Sequence, residues 1–512
     1  MFILGYSVLF LSSDSVVVDV GYAQYQGVFD TNTNVTNFWG IRYAAPPTGE
    51  LRFRAPQPPA NVDGVQSADT KPPECIQGFT TDSEDCLFLN VVIPGNSITQ
   101  KLFFTRSGMD SRRRGAYVSG NASMYPGSDL LQEANNEVIA VLIQYRLGLF
   151  GFLAGNDVKE NGDLNAGLLD QHFALRWVNT YISKFGGDPE KVTIWGESAG
   201  AGSVIQHIVA QDGKTSPPLF RGAMTSSTFL PSQYPFNDSV PEGIYTEVLS
   251  QTNCSSASDT LACLRASDID TLSTANTNVE AGGFSGTFVF SPVIDGSFIT
   301  QRPTVALKEG KINGNAYLAV TNTNEGVLFV DATGVIMNTS IYAGELFPKF
   351  GAAQDAEVAQ QYTGLGTTLD QIIAIMGDSI FKCPSYYILD AFHQQNFSAF
   401  KGEFAIPPAI HGLDVPYYFP TTSRTSNDVP NKTFTAAFSQ SFLSFVVSLD
   451  PNDKIDPSDD ITPPWTVYSI EQTEMVFNKT VDNQTDIQTI MTDPAFLERC
   501  RFWESVGELT GQ

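Results

Sequence analysis

The stretch Gly196-Glu197-Ser198-Ala199-Gly200 holds a serine between two glycines, behind the apolar run VTIW and ahead of small residues suited to opening a helix. In the order strand, Gly-x-Ser-x-Gly, helix, a tight turn raises the serine hydroxyl above a sheet, where it can act as a nucleophile. The flanking glycines leave room for neighbouring chain and for substrate. The N–H of Ala199, at the head of the helix, would face a bound carbonyl oxygen, and the helix dipole favours negative charge there.

A serine hydroxyl attacks only when a base takes its proton, and the base needs a third group to orient it. The chain has four histidines. His172 falls inside a helical pattern before the nucleophile and His207 in the helix after it, so both suit packing or surface roles. His393 adjoins the glycosylation triplet at Asn396 and is expected at the surface. His411, in AIHGLDVPYYF, has loop punctuation and lies far downstream of Ser198. That fits the chain order nucleophile, acid, base. The acid then belongs between the two, at a strand end, where Glu325 stands in VTNTNEGVLF. Asp414 competes by nearness in sequence, but a triad acid has to approach the far ring nitrogen.

These side chains need a scaffold, and the hydrophobic pattern supplies one. EVIAVLIQYRLG (137–148) begins as a nearly continuous apolar run, as a strand covered on both faces does. LLDQHFALRWVNTYISKFG (168–186) has apolar residues at helical spacing and stops at Gly186-Gly187. KVTIWGES (191–198) and NAYLAVTNTNEG (315–326) read as strands running into functional loops. Alternating strands and helices predict an α/β fold with a large, mostly parallel central sheet flanked by helices.

The chain of 512 residues carries 42% hydrophobic and 16% charged residues, a globular composition with no disordered bias. A net charge of −26 argues against nucleic acid and other polyanionic partners. Six cysteines include two close pairs, Cys75/Cys86 and Cys254/Cys263, predicted as disulfides of an oxidising compartment. Cys383 and Cys500 are left over, their state open. Asn-x-Ser/Thr triplets begin at Asn34, Asn121, Asn237, Asn253, Asn338, Asn396, Asn431, Asn478 and Asn483, which supports secretion. Residues 1–18, with the apolar run MFILGYSVLFLSS, read as an atypical signal segment without a basic start, and 19–512 as one catalytic domain. No later run reaches the ~18 apolar residues of a membrane span.

Beyond the pentapeptide, SEDCLFLNV, YRLGLFGFL and GDPEKVTIWGESAGAGSV make the chain resemble the type B carboxylesterase/lipase family, from GYAQYQGVFD to RCRFW. The resemblance implies an α/β-hydrolase fold and hydrolysis of a small carboxylic ester through an acyl-enzyme, with no metal or cofactor. It gives Glu325, in the family's Asn-x-x-Glu-Gly segment, as the triad acid, and His411, in its His-Gly-x-Asp-x-Pro motif, as the base. It also implies ion pairs Arg52–Glu84 and Arg146–Asp170, and a charge at Glu197 able to tune His411. Family lipases carry a long amphipathic lid between the cysteines matching Cys75 and Cys86. Here IQGFTTDSED is short and polar, so soluble esters of short-to-medium acyl chain are expected over emulsified fat.

One segment departs from the family, KLFFTRSGMDSRRRGAYVSGNAS (101–123). The family places there an apolar strand and a Gly-rich loop whose N–H groups join the oxyanion hole. Counted back from Tyr117, only Gly115 and Ala116 remain to serve beside Ala199, next to Arg112, Arg113 and Arg114. A one-nucleotide shift of frame through residues 104–114 permits Leu-Pro-Val-Leu-Val-Trp-Ile-His-Gly-Gly-Gly, and forces the Trp at Met109-Asp110. We read the segment as a local frameshift or a misplaced intron boundary in the coding sequence, with irregular, strained or poorly packed backbone expected over 103–116. The other reading is a divergent loop with a solvated basic face. The rival function is a catalytically impaired or silent, cholinesterase-like binding or adhesion protein, because the oxyanion loop is disrupted. The sequence does not specify an oligomeric state.

Overall fold

The computed structural model describes residues 16–78, 82–98, 102–107, 116–333, 336–421, 432–458, 460–469 and 472–512. Among them lie β1 (Val17–Asp19), β2 (Gln24–Gln26), β3 (Val28–Asp30), β4 (Val35–Arg42), β5 (Val65–Ser67), β6 (Phe88–Pro94) and β7 (Leu102–Ser107). Then follow β8 (Val138–Ile143), β9 (Val192–Glu197), β10 (Gly222–Ser226), β11 (Ala316–Asn322), β12 (Ser398–Phe404), β13 (Thr473–Lys479) and β14 (Thr485–Met491). β1, β2 and β5 make a small sheet, and the others an 11-stranded one in the order β14-β13-β12-β11-β10-β9-β7-β8-β6-β4-β3. From β8 across to β13 every neighbour pair is parallel. Antiparallel strands finish both edges. This is the α/β-hydrolase arrangement expected.

β8, β9, β10 and β11 are buried at every position. Helices cover both sheet faces there, which is why these strands read as unbroken apolar runs rather than alternating ones. Successive side chains of β8 still divide between two cores: Ile139, Val141 and Ile143 pack on one side, Val138, Ala140 and Leu142 on the other. The helices that matter for the site are α1 (Ala166–Tyr181), α2 (Ala199–Val209), α3 (Thr368–Met376), α4 (Cys383–Gln394) and α5 (Pro494–Ser505). α1 runs into a 3₁₀ turn over Ile182–Phe185, and Gly186, at φ 88°, ends it. That left-handed conformation costs glycine no Cβ clash.

The expectation of irregular backbone over 103–116 is wrong for its first part. Residues 102–107 form β7, between β8 and β9, with Phe103 opposite Ile139 and Val192 and Arg106 opposite Leu142 and Trp195. Two parallel neighbours offer hydrogen-bonding backbone on both sides, and a gap there would orphan both rows. Backbone pairing thus outweighs the poor strand preference of TRS. Residues 108–115, with the three arginines and Gly115, lie outside the described residues.

Both predicted disulfides form, Cys75–Cys86 and Cys254–Cys263, and a third joins Cys383 to Cys500, tying α4 to α5. The run Thr368–Gln394 is long and apolar enough to cross a membrane, but 78% of its most apolar window is buried inside the protein. It is a core element, interrupted by a π-helical turn at Gly377–Lys382. The boundary drawn at residue 18 falls within β1, whose strand pairing with β2 begins at Val17.

Candidate active site

β9 ends in Glu197, and the chain turns at Ser198 with φ 55° and ψ −124° before α2 begins at Ala199. A side chain rarely adopts that φ, and the strain is a feature of turns that present a nucleophile. Surrounding contacts enforce it: Ser198 N–H donates to Ser226 O over 3.0 Å. A Cβ on Gly196 would sit 2.1 Å from the Gly200 carbonyl, so no residue but glycine fits there. The outcome is a buried hydroxyl at the C-terminal ends of the parallel strands.

Two further loops meet it. One leaves β11 and carries Glu325; the other leaves β12 and carries His411. They are laced together by Asn324 N–H to Ala409 O at 2.8 Å, Asn324 Nδ2 to Pro408 O at 2.8 Å and Thr323 N–H to Phe404 O at 3.1 Å. In consequence His411 Nε2 lies 2.9 Å from Ser198 Oγ, and His411 Nδ1 lies 2.6 Å from Glu325 Oε2. The other carboxylate oxygen of Glu325 accepts the Asn322 N–H over 2.6 Å. All three side chains are buried. A carboxylate only accepts, so Nδ1 carries the ring proton and Nε2 turns its lone pair toward the serine hydroxyl.

Electrostatics favour the charged imidazole. Burial alone would lower the pKa of His411, but the Glu325 carboxylate, with Glu197 and Asp414 further off, outweighs it and raises the imidazole above its ordinary value. Glu197 Oε1 stands 3.5 Å from His411 Nε2. Asp414, the rival acid, faces elsewhere. Its Oδ1 accepts from Asn322 Nδ2 over 3.0 Å, and burial raises its own pKa.

The remaining sequence candidates separate clearly. His207 is buried on the helix that follows Ser198, its pKa pushed down to about 3 by burial and by His172. His172 is half-buried, pushed down to about 4 by burial and Arg176. His393, expected at the surface, is half-buried at the end of α4. Arg52 and Glu84 pair twice at 2.6 Å, and Arg146 grips Asp170 at 2.7 and 2.8 Å. The second pair is fully buried and fixes the loop after β8 onto α1, a geometric role more than a stabilising one. Ala199 begins α2 beside Ser198. Ala116 is buried at φ 55°, an uncommon conformation for alanine. Among the described residues no group of three or more His, Cys, Asp or Glu is placed to hold a metal.

Sequence reasoning missed the aromatic enclosure. Phe381, on the π-helical turn, and Phe329, just past Glu325, place their rings 4.6 and 4.9 Å from the His411 ring. Phe229 packs on Phe381 at 5.5 Å and on Phe288 at 4.7 Å. Beyond Phe288 opens a cavity of about 630 Å³, lined by Phe152, Phe284, Val289 and Ile380 among others. These rings come from five separate stretches, and no local spacing announces such an assembly. The tight packing of Gly326 on α3 is likewise non-local: a Cβ there would meet Ile373 O at 2.0 Å.

A serine, an imidazole and a carboxylate in hydrogen-bonded line can pass a proton away from the serine as it attacks a carbonyl carbon. The model of the carboxylesterase family matches residues 14–503. The chain is 30% identical over 480 residues to Lipase 4 of Diutina rugosa, covering 81% of this chain and 84% of that protein. It is 26% identical to Carboxylesterase patB of Penicillium expansum, over 97% of each. The crystal structure of Aspergillus niger EstA superposes with a TM-score of 0.86 at 31% identity, covering 97% of this chain and 99% of that one. The chain therefore belongs to the carboxylesterase family and is a serine hydrolase of carboxylic esters.

Proposed function

We propose that Ser198 is the nucleophile, His411 the general base and acid, and Glu325 the residue that orients His411. The observation that carries this is the unbroken line from Ser198 Oγ through the imidazole to Glu325, at 2.9 and 2.6 Å. Ser198 Oγ attacks the ester carbonyl while His411 Nε2 takes its proton. The charge that develops on the carbonyl oxygen is met by the N–H of Ala199, with Ala116 and Gly115 as further donors. Each such donor is typically worth about 10²–10³ in turnover. Collapse expels the alcohol, which takes the proton back from His411 Nε2–H. Water then attacks the acyl-enzyme with His411 again as base, and the acid leaves. The Glu325 carboxylate stabilises the imidazolium at each step.

The substrate proposed is a soluble ester with a short-to-medium acyl chain, processed outside the cell. The loop between Cys75 and Cys86 supports this. Gln77 N–H donates to Asp82 Oδ2, Ser83 N–H to Glu74 O, and Gln77 Oε1 accepts from Gly120 N–H, each at 2.8–2.9 Å. A stapled ten-residue loop is a poor candidate for a lid that swings open on oil. The name Secreted lipase 1 of Botryotinia fuckeliana, a protein 34% identical over 58% of this chain, supports the location. Ser198→Ala tests the assignment, since it deletes one hydroxyl and no packing. Hydrolysis of a short-chain aryl ester should vanish; a folded variant that retains turnover would remove Ser198 from the mechanism. A wild-type chain without turnover would instead favour the silent binding protein.

A further inference from the structure

Behind Ser198 a hydrogen-bonded chain runs through side chains that the proposed steps leave unused. Gln171 on α1 and Ser203 and His207 on α2 are all buried. His207 Nε2 lies 3.1 Å from Gln171 Oε1. Gln171 Nε2 donates to Ser203 Oγ over 2.9 Å, and the Ser203 hydroxyl donates to the carbonyl oxygen of Ala199 over 3.0 Å. The direction of each link is forced. An amide oxygen only accepts, so His207 Nε2 bears a proton. An amide NH₂ only donates, so Ser203 accepts from it and spends its own proton on Ala199. In an α-helix the carbonyl of residue 199 takes the N–H of residue 203. Here it takes the hydroxyl as well, so the first turn of α2 is held to α1 by more than its own ladder.

The same face of α2 receives the other side of the candidate oxyanion site. Gly202 has no side chain where Tyr117 arrives: a Cβ would lie 2.6 Å from the Tyr117 hydroxyl oxygen. The Tyr117 ring is clamped by Phe152 at 4.6 Å and Phe229 at 6.0 Å. Tyr117 directly follows Ala116 in the chain. Residues 199, 202 and 203 share one helix face by their spacing. One face of α2 is therefore attached next to both donors, Ala199 through Ser203 and Ala116 through Tyr117.

We propose that Gln171, Ser203 and His207 are positioning residues for the oxyanion, fixing the first turn of α2 so that the Ala199 N–H keeps its aim. The inference rests on the reading of Ser198 as nucleophile. The physical reason is that an oxyanion donor stabilises charge only if it does not reorganise as the charge appears. The first N–H groups of a helix have no partners within the helix to hold them.

The test uses the full chain with Gln171→Met, Ser203→Ala, both together, and Ser203→Thr, which keeps the hydroxyl. Three quantities are read: kcat and KM on a soluble aryl ester, inhibition by an aryl trifluoromethyl ketone, and the pH profile of kcat/KM. The ketone adds Ser198 Oγ to its carbonyl and leaves an oxyanion in the hole, so it reports donor aim without turnover. Each deletion should lower kcat about tenfold or more with KM within about twofold, and weaken the ketone by the same factor. The double variant should be no worse than about the larger single loss, because the links form one chain. Ser203→Thr should recover most of the loss, and the pH profile should keep its midpoint, since His411 is untouched. Folded variants whose kcat and ketone affinity match wild type overturn the proposal, as does a loss confined to thermal stability. If Gln171→Met does not fold, Ser203→Ala, which removes a single oxygen, decides. A wild-type chain inert to a fluorophosphonate sinks the Ser198 assignment and this inference together. A reactive wild type with unchanged variants sinks this inference alone.

Discussion

Replacing Glu325 by Gln removes one charge and almost no volume, and the structure fixes what must follow. One carboxylate oxygen faces His411 Nδ1 at 2.6 Å and the other the Asn322 N–H at 2.6 Å, so both positions demand an acceptor. A glutamine has one acceptor and one donor to offer. With its oxygen on Asn322, its NH₂ meets Nδ1 and forces the imidazole into the tautomer whose proton sits on Nε2, leaving nothing to deprotonate Ser198. With its oxygen on Nδ1, two donors collide at Asn322 inside a fully buried pocket. The first arrangement costs about 10⁴ in kcat in a triad of this logic, with little change in substrate binding. The second leaves a buried unsatisfied donor, about 1–3 kcal/mol, which favours the first. Loss of the carboxylate also removes the largest influence that raises the His411 pKa, so residual activity should set in at lower pH than in wild type, because His411 stays neutral further into acid. The assay is steady-state hydrolysis of a soluble aryl ester from pH 4 to 9. A variant keeping more than about a tenth of wild-type kcat, or one whose acid limb moves to higher pH, would refute the role given to Glu325.

Three further outcomes are expected. Cys383–Cys500 closes a separation of 117 residues and Cys254–Cys263 one of 9, so the longer loop restrains the unfolded chain more, up to about 4–5 kcal/mol. Thermal midpoints of the paired Cys→Ser variants should fall further for the 383/500 pair, and the reverse order would contradict this account of the staple. Rate against concentration of a sparingly soluble ester should stay smooth through its solubility limit, whereas a jump on emulsion formation would indicate an opening lid. Sequencing the transcript over residues 104–114 should show codons that yield Gly-Gly-Gly when read one nucleotide on, and codons that cannot do so would make the arginines a true part of the loop.

How much of this was legible in the sequence follows the range over which each feature is encoded. Ser198 sits in a motif whose strand, turn and helix are contiguous, and its three local requirements agree. Glu325 and His411 each follow a strand in a recognisable loop, so chain order and the two loop motifs singled them out, and the fold brings them within 2.6 Å of each other. Cys383 and Cys500 gave no such signal, because a pairing over 117 residues depends on how α4 meets α5. The rings of Phe229, Phe288, Phe329 and Phe381 converge for the same non-local reason. β7 was misjudged because propensity describes a strand in isolation, while this one is flanked by pairing partners on both sides. The count of glycosylation triplets overstates the available sites: Asn121 is buried, donating to Glu74 Oε1 over 2.8 Å and accepting the Ser123 N–H over 2.8 Å.

The central claim is that Ser198 is a nucleophile activated by His411. Its most direct measurement is the mass of the intact protein after brief exposure to a fluorophosphonate, followed by peptide mapping. The account predicts one phosphonyl group on Ser198 in the wild-type chain, none in Ser198→Ala, and a labelling rate in Glu325→Gln reduced in parallel with its kcat. Ester hydrolysis by a chain that takes up no label, or takes it up at another residue, would contradict it.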